Sequence, residues 1–201
     1  MTMSRIEPSI RSRPVYGTLS AVNATAHLCV ADAAGGAALL ELFTHAPPGF
    51  AARTEIDYVP GPEDHTDALR ALAPARFHTS PTVPALLPRL VRQFERMHMG
   101  TQVYLAGSET LIGLAMKTGM EAGLDFEAMQ TEHRGSLARR MQCVHCKGIT
   151  EGVTTQPATC EHCGLLLLVR DHYSRRHAAF QGVNINAEDP TDVPAKEEIF
   201  S

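Results

Sequence analysis

Along the first two thirds of the chain, apolar positions switch repeatedly between two periods. Residues 15–22, 27–32, 54–59, 76–79, 102–106 and 126–130 carry the short apolar or alternating runs of β-strands. Between them lie stretches with helical spacing. One spans 36–45, with Leu39, Leu40 and Phe43 on one stripe, and a short one spans 66–72. A third begins near Pro84 or Pro88 and ends at 98, with Leu86, Leu87, Leu90, Val91, Phe94 and Met97 keeping the 3.6-residue period. Both prolines suit only the start of that helix, because an interior proline loses a hydrogen bond and clashes with the preceding turn. A last helix is expected from Ser108, a capping residue after Gly107, to about Ala122. Ile112, Met116 and Met120 line one side of it, and Gly123 stops it. Strands alternating with helices predict parallel pairing through right-handed crossovers. The expected body is therefore a doubly wound, Rossmann-like α/β domain over residues 15–135, preceded by an N-terminal arm, 1–14.

From residue 136 the helical periodicity stops, and cysteines, histidines and arginines concentrate. This predicts a second, smaller module over 136–185, followed by an acidic tail, 186–201. A chain of 201 residues is long enough for a medium domain plus such a module. There is no Trp, so the cores must rest on Leu, Val, Ala and Met. The net charge of −4 is unevenly placed. Glu188, Asp189, Asp192, Glu197 and Glu198 against Lys196 account for all of it, which leaves a body of balanced charge. That argues against a nucleic-acid partner. The longest aliphatic run, 165–169, is far short of the ~20 residues of a membrane span. No export-type leader is visible near residue 1, so the expected location is cytoplasmic.

Five cysteines without an export signal point to metal or a buried thiol rather than a disulfide framework. Four of them, Cys143, Cys146, Cys160 and Cys163, form two C-x2-C pairs separated by thirteen residues. Two thiolates three positions apart can turn around one ion, and a second pair closes a tetrahedron. Such a shell selects zinc, or iron in a rubredoxin-like site. Zinc would be structural, because four thiolates leave no open position for water or substrate. The Gly- and Thr-rich gap suits a β-hairpin between the pairs, and Gly164 permits the positive φ of the second turn. His145 and His162, inside the pairs, are expected to point away from the ion. Arg139, Arg140 and Lys147 either offset the negative cluster or are solvated surface. Cys29, alone on a strand, reads as a core residue.

In open α/β sheets, ligands bind where strand carboxyl ends meet helix N-termini. Two such places are present. One is ADAAGG, with Gly35 and Gly36; the other is AGSE, with Gly107 and Ser108. Neither is a Walker loop or a G-x-G-x-x-G fingerprint, and the glycines can equally serve turn geometry alone. The segment TQVYLAGSETLIGLAMKTGMEAGL resembles the strand-to-helix passage of the nicotinamide-binding half of ferredoxin-reductase-type flavoproteins. Ser108 stands where that family has a proline, and ADAAGG stands where it has a G-G-x-G-x-T-P turn. The resemblance implies the fold, and a nucleotide site at Gly35, Gly36, Gly107 and Ser108.

After the second cysteine pair, Arg170, His172, Arg175, Arg176 and His177 crowd around Tyr173 and Phe180. That composition reads as a docking surface, as a solvated loop, or as a phosphate-capturing arginine pair. The run from CVHCKGI through VRDHYSRRHAAFQGVNINAEDP resembles the small subunit of bacterial dimethylamine monooxygenase, a haem-dependent oxidative N-demethylase. This implies a heteromeric complex with three partners: a haem-bearing catalytic subunit, a flavin (FMN) and iron–sulfur reductase subunit, and an aminomethyltransferase-like folate subunit. The overall reaction would convert dimethylamine, O₂ and NADPH to methylamine and formaldehyde. No catalytic constellation is visible in this chain, so the expected role is an accessory subunit. The alternative is an electron-transfer or NAD(P)H/flavin-nucleotide-binding component. Ile199 and Phe200 after two acids suggest a flexible docking peptide or a solvated end.

Overall fold

The computed structural model describes residues 13–191 and 193–201; most of the expected N-terminal arm lies outside them. Five strands, β1 (Ala26–Asp32), β2 (Thr54–Val59), β3 (Arg76–Thr79), β4 (Thr101–Gly107) and β5 (Met129–His133), form a fully parallel sheet in the order β3-β2-β1-β4-β5. Central β1 pairs Cys29 with Ile56 on one side and Tyr104 on the other. Its Cys29, Val30 and Ala31 are inaccessible, as strands covered on both faces must be.

Helices α1 (Gly35–Thr44) and α2 (Thr66–Ala71) cover one face of the sheet; α3 (Val83–Glu95) and α4 (Glu109–Glu121) cover the other. Leu39, Leu42 and Leu69 pack on Cys29, Ile56 and Tyr104. Leu86, Leu90, Phe94, Ile112 and Met116 pack on Val30, Val103 and Leu105. Ser108 caps α4 by accepting the Leu111 N–H at 3.2 Å, and Gly123 follows the helix at φ 92°.

Three expectations for this half change. Residues 15–22 are not a strand. Their N–H groups go mainly to side chains, Leu19 to Glu132 (2.7 Å), Ser20 to Gln130 (2.8 Å) and Val22 to the Tyr104 hydroxyl (3.2 Å), so no ladder forms. Pro88 sits inside α3 rather than at its start. Burial of Leu86, Leu90 and Phe94 outweighs the ~3 kcal/mol of an interior proline. Residues 126–128 form one 3-10 turn capped by Asp125, and the strand expected there begins at Met129.

The C-terminal part contains β6 (Arg139–Cys143), β7 (Ile149–Val153), β8 (Thr155–Gln156), β9 (Ala158–Thr159), β10 (Leu166–Ser174), β11 (Ala179–Asn184) and β12 (Glu197–Glu198). The larger sheet has the order β7-β6-β11-β10-β9, with β6 and β11 parallel and the other pairs antiparallel. Met141, Val153, Leu167, Val169 and Phe180 form its core. The last residues do not hang free as expected: β12 pairs with β8, and the Ile199 and Phe200 N–H groups both donate to the Thr154 carbonyl, at 3.0 and 2.9 Å. Phe200 is buried, its ring 4.1 Å from the Arg139 guanidinium. No helix among the described residues is long and apolar enough to cross a membrane.

Candidate metal centre

Each cysteine pair is the turn of a hairpin, which corrects the single hairpin expected between the pairs. β6 and β7 flank Cys143 and Cys146, and β9 and β10 flank Cys160 and Cys163. The two turns share one hydrogen-bond scheme. Cys143 N–H donates to Gly148 and Cys160 N–H to Leu165, while Lys147 N–H returns to Cys143 and Gly164 N–H to Cys160, all at 2.9 to 3.0 Å. Each turn needs a left-handed residue after its second cysteine. Gly164 takes that place at φ 74°, and Lys147 does so at φ 65°, where the sequence offers no glycine.

The turns bring all four sulfurs within 4.8 Å of one another. Cys143 and Cys163 lie 3.8 Å apart, Sγ to Sγ, and Cys146 and Cys160 lie 3.7 Å apart, each pair joining one hairpin to the other. A tetrahedral ion with metal–sulfur bonds of ~2.3 Å requires sulfur separations of ~3.8 Å, so the donor set fits zinc-like coordination. Burial alone would raise the Cys160 thiol. The Cys163 and His162 N–H groups, with the neighbouring thiols, overcome this and bring it down to about 6. Cys143 and Cys160 are buried; Cys146 and Cys163 lie nearer the surface. Neither histidine joins the cluster, and His162 Nε2 contacts the Ile149 carbonyl at 2.7 Å. The nearby cations are engaged elsewhere: Arg139 with Asp171 (2.6 Å), Arg140 with Glu151 (2.7 Å) and Lys147 with the Val144 carbonyl (2.5 Å).

At the other candidate place, the strand order reverses between β1 and β4. Gly35, Gly107 and Ser108 do converge there: a Cβ on Gly35 would lie 2.3 Å from the Ala106 carbonyl and 2.6 Å from Gly107 N. Gly36 faces His65 instead. The crevice is filled by the chain's own carboxylate. Asp32 accepts the Ser108 N–H at 2.7 Å and the Ser108 hydroxyl at 2.5 Å. Gly107, at φ 125°, admits it, since a Cβ there would sit 1.9 Å from Asp32 Oδ1. Burial pushes the Asp32 carboxyl above its ordinary range, against the lowering effect of the Ser108 donors. The donors that a phosphate would use therefore already hold a carboxylate. Cys29 is a core thiol, and burial raises its pKa far above the ordinary value.

Two family profiles match the chain. The N-terminal domain of "dimethylamine monooxygenase subunit DmmA-like" proteins matches residues 8–129, and the C-terminal domain matches residues 140–183. The chain belongs to the DmmA-like family. It is 28% identical over 110 residues to the heme-dependent oxidative N-demethylase delta subunit of Ectopseudomonas mendocina (strain ymp). That match covers 55% of this chain and 63% of the relative, so the chain spans less than two thirds of it. Among solved structures, full-length CYP116B46 from Tepidiphilus thermophilus matches 66% of the chain and 19% of its own length, at 18% identity and a TM-score of 0.38. An intact type IV self-sufficient cytochrome P450 monooxygenase matches 84% and 22%, at 16% identity and a TM-score of 0.41.

In this DmmA-like chain, part of the basic stretch after the metal centre turns inward. Tyr173 packs on Phe180 with ring centroids 5.0 Å apart and directs its hydroxyl at Gly113 of α4. The Arg175 guanidinium lies 3.8 Å over the Phe126 ring. Half-buried Tyr173 and the Arg175 guanidinium, itself exposed like Arg176 and His177, thus form the seam between the cysteine-bearing sheet and the α/β body. Sequence reasoning read the stretch as a docking surface, a solvated loop or a phosphate-capturing arginine pair, and none of these foresaw the inward contacts. The seam depends on Gly113 and Phe126, about fifty to sixty residues away, and no local pattern links them.

Proposed function

We propose that the chain is an accessory subunit of a haem-dependent oxidative N-demethylase acting on dimethylamine. In this reading a structural zinc ion, held by Cys143, Cys146, Cys160 and Cys163, pins together the two hairpins of a zinc-ribbon module that rests on a Rossmann-like body. The observation that carries the accessory role is the four-sulfur shell, which offers no open ligand position for substrate or oxygen. Family membership and the relative's name supply the complex. The haem, flavin and iron–sulfur groups then belong to partner subunits, with an aminomethyltransferase-like folate subunit alongside, all in the cytoplasm. What this chain contributes is a rigid face for those partners. When bound, the zinc supplies fixed geometry and no redox chemistry.

The test is coexpression with the haem-bearing and reductase subunits. A single complex on gel filtration at moderate salt is expected, and elution of this chain alone would overturn the reading. The purified chain should be colourless and contain one zinc per chain; visible ferric–thiolate bands would make it an electron carrier instead. A second reading, a nicotinamide or flavin nucleotide at Gly35, Gly36, Gly107 and Ser108, draws on the convergence of Gly35, Gly107 and Ser108 at the sheet's switch point. Asp32 weighs against it, since a phosphate would meet a carboxylate. Calorimetry with NADPH and FMN separates the two; saturable heat from either favours the second.

A further inference from the structure

We propose that a cleft at the amino-terminal ends of the parallel strands, opposite the Asp32 crevice, binds a small organic phosphate. The cleft has a volume of about 460 Å³, within the ~300–1,000 Å³ range of small-molecule sites. Five arginines line it: Arg53, Arg76, Arg89, Arg92 and Arg96. Two are neutralised, Arg76 by Glu55 at 3.2 Å and Arg89 by Asp57 at 2.5 Å. The other three have no ion-pair partner among the described residues, and Arg53 reaches only the Ala24 and Gly49 carbonyls. A surplus of three positive charges thus collects in one concavity of a chain whose net charge is −4. Concave clefts of one sign concentrate counter-ions.

The second observation lies on the floor. His27 lines the cleft, is only 2% exposed, and neither of its ring nitrogens has a hydrogen-bond partner among the described residues. Gln93 Oε1 is likewise buried and unpartnered, while Gln93 Nε2 reaches Glu55 at 3.3 Å. Unmade hydrogen bonds of this kind are costly, and each calls for a partner such as an ordered water or a ligand. Burial and the Arg53 charge lower the His27 pKa, so near neutral pH one ring nitrogen donates and the other accepts. The ring is held in place, 4.1 Å from Phe50. The arginines suit phosphate oxygens, and the buried His27 beside Arg53 suits a hydroxyl on the same molecule. The concave shape of the cleft favours a small ligand over an acidic partner protein.

The experiment is calorimetry on the full chain at ~0.15 M salt, where non-specific charge attraction is screened beyond ~8 Å. Ribose 5-phosphate is the probe and inorganic phosphate the comparison. One-site, saturable binding of ribose 5-phosphate is expected, tighter than inorganic phosphate, with a change in the ¹⁵N resonances of the His27 ring. Arg92 and Arg96 are exposed, so the Arg92→Gln/Arg96→Gln variant should fold normally by circular dichroism. It should bind at least about tenfold more weakly, having lost two charge-assisted contacts. Arg170→Gln/Arg176→Gln, in the C-terminal part, should bind like the unaltered chain. Absence of saturable binding, or equal affinity in the Arg92/Arg96 variant, overturns the proposal. So does loss of partner copurification in that variant without phosphate binding by the parent, an outcome that assigns the cleft to an acidic protein surface.

Discussion

The seam between the two sheets hangs on a helix glycine, and Gly113→Ala sets two effects of opposite sign against each other. In the middle of α4, replacing Gly with Ala should stabilise by about 1 kcal/mol through helix propensity alone. The new methyl would lie 2.2 Å from the Tyr173 hydroxyl and 3.3 Å from the Ala178 methyl. Tyr173 cannot swing away freely, because its ring is wedged on Phe180. Overpacking of this kind costs about 1–3 kcal/mol, so Gly113→Ala should come out destabilising by up to ~2 kcal/mol. Tyr173→Phe removes the clashing oxygen and keeps the ring. A double-mutant cycle by urea denaturation should therefore show a coupling of about 1–2 kcal/mol, with Tyr173→Phe rescuing the Gly113→Ala chain. If Gly113→Ala stabilises the chain and the two substitutions are additive, Tyr173 does not anchor the seam.

Other consequences follow from the metal centre and the buried acids. Cys146→Ser should lose the ion and unfold the C-terminal sheet while the helical circular dichroism of the body persists, because ligation energies of ~10–16 kcal/mol are folding energy for so small a unit; equal thermal stability with and without a chelator would refute this. Gly164→Ala meets no neighbour within 4 Å, so its whole cost is the left-handed backbone, about 1–2 kcal/mol, read as roughly tenfold weaker metal affinity in a competition titration. Glu109 is raised above its ordinary value of 4.5, first by burial and against the Tyr16 hydroxyl that donates to it at 2.8 Å. A raised carboxyl means that the folded state holds the proton more tightly, so the penalty for charged Glu109 is present above its folded pKa and fades as pH falls towards 4.5. Glu109→Gln, whose amide oxygen still accepts from Tyr16, should gain stability relative to the unaltered chain at pH 7 and lose that advantage towards pH 4.5; a difference independent of pH in urea melts would refute the assignment.

What could be read along the chain was whatever a short stretch decides by itself. The gathering of the four cysteines, the Ser108 cap, the Gly123 stop and the burial of Cys29 each depend on a few neighbours, and each stands in the structure as expected. Most of the errors share a different cause: a partner distant in sequence overrides local preference. Residues 15–22 have strand composition, but Gln130 and Glu132 capture their N–H groups. Pro88 should end a helix, but three buried side chains on the far face hold the helix through it. The tail has a disordered composition, yet Thr154 and Arg139 fix Ile199 and Phe200. The crevice between β1 and β4 is the sharpest case. The glycines at 35 and 107 do meet, as a nucleotide-binding sheet would have them, and the feature that alters their meaning is a single carboxylate on β1, seventy-six residues from the serine it binds. A Gly at 107 is compatible with either occupant, a phosphate or Asp32, because both need the missing Cβ. The glycine pattern therefore records close approach without saying what approaches. Only the hydrogen bonds of Ser108 distinguish an anion site held for a ligand from one filled by the protein itself.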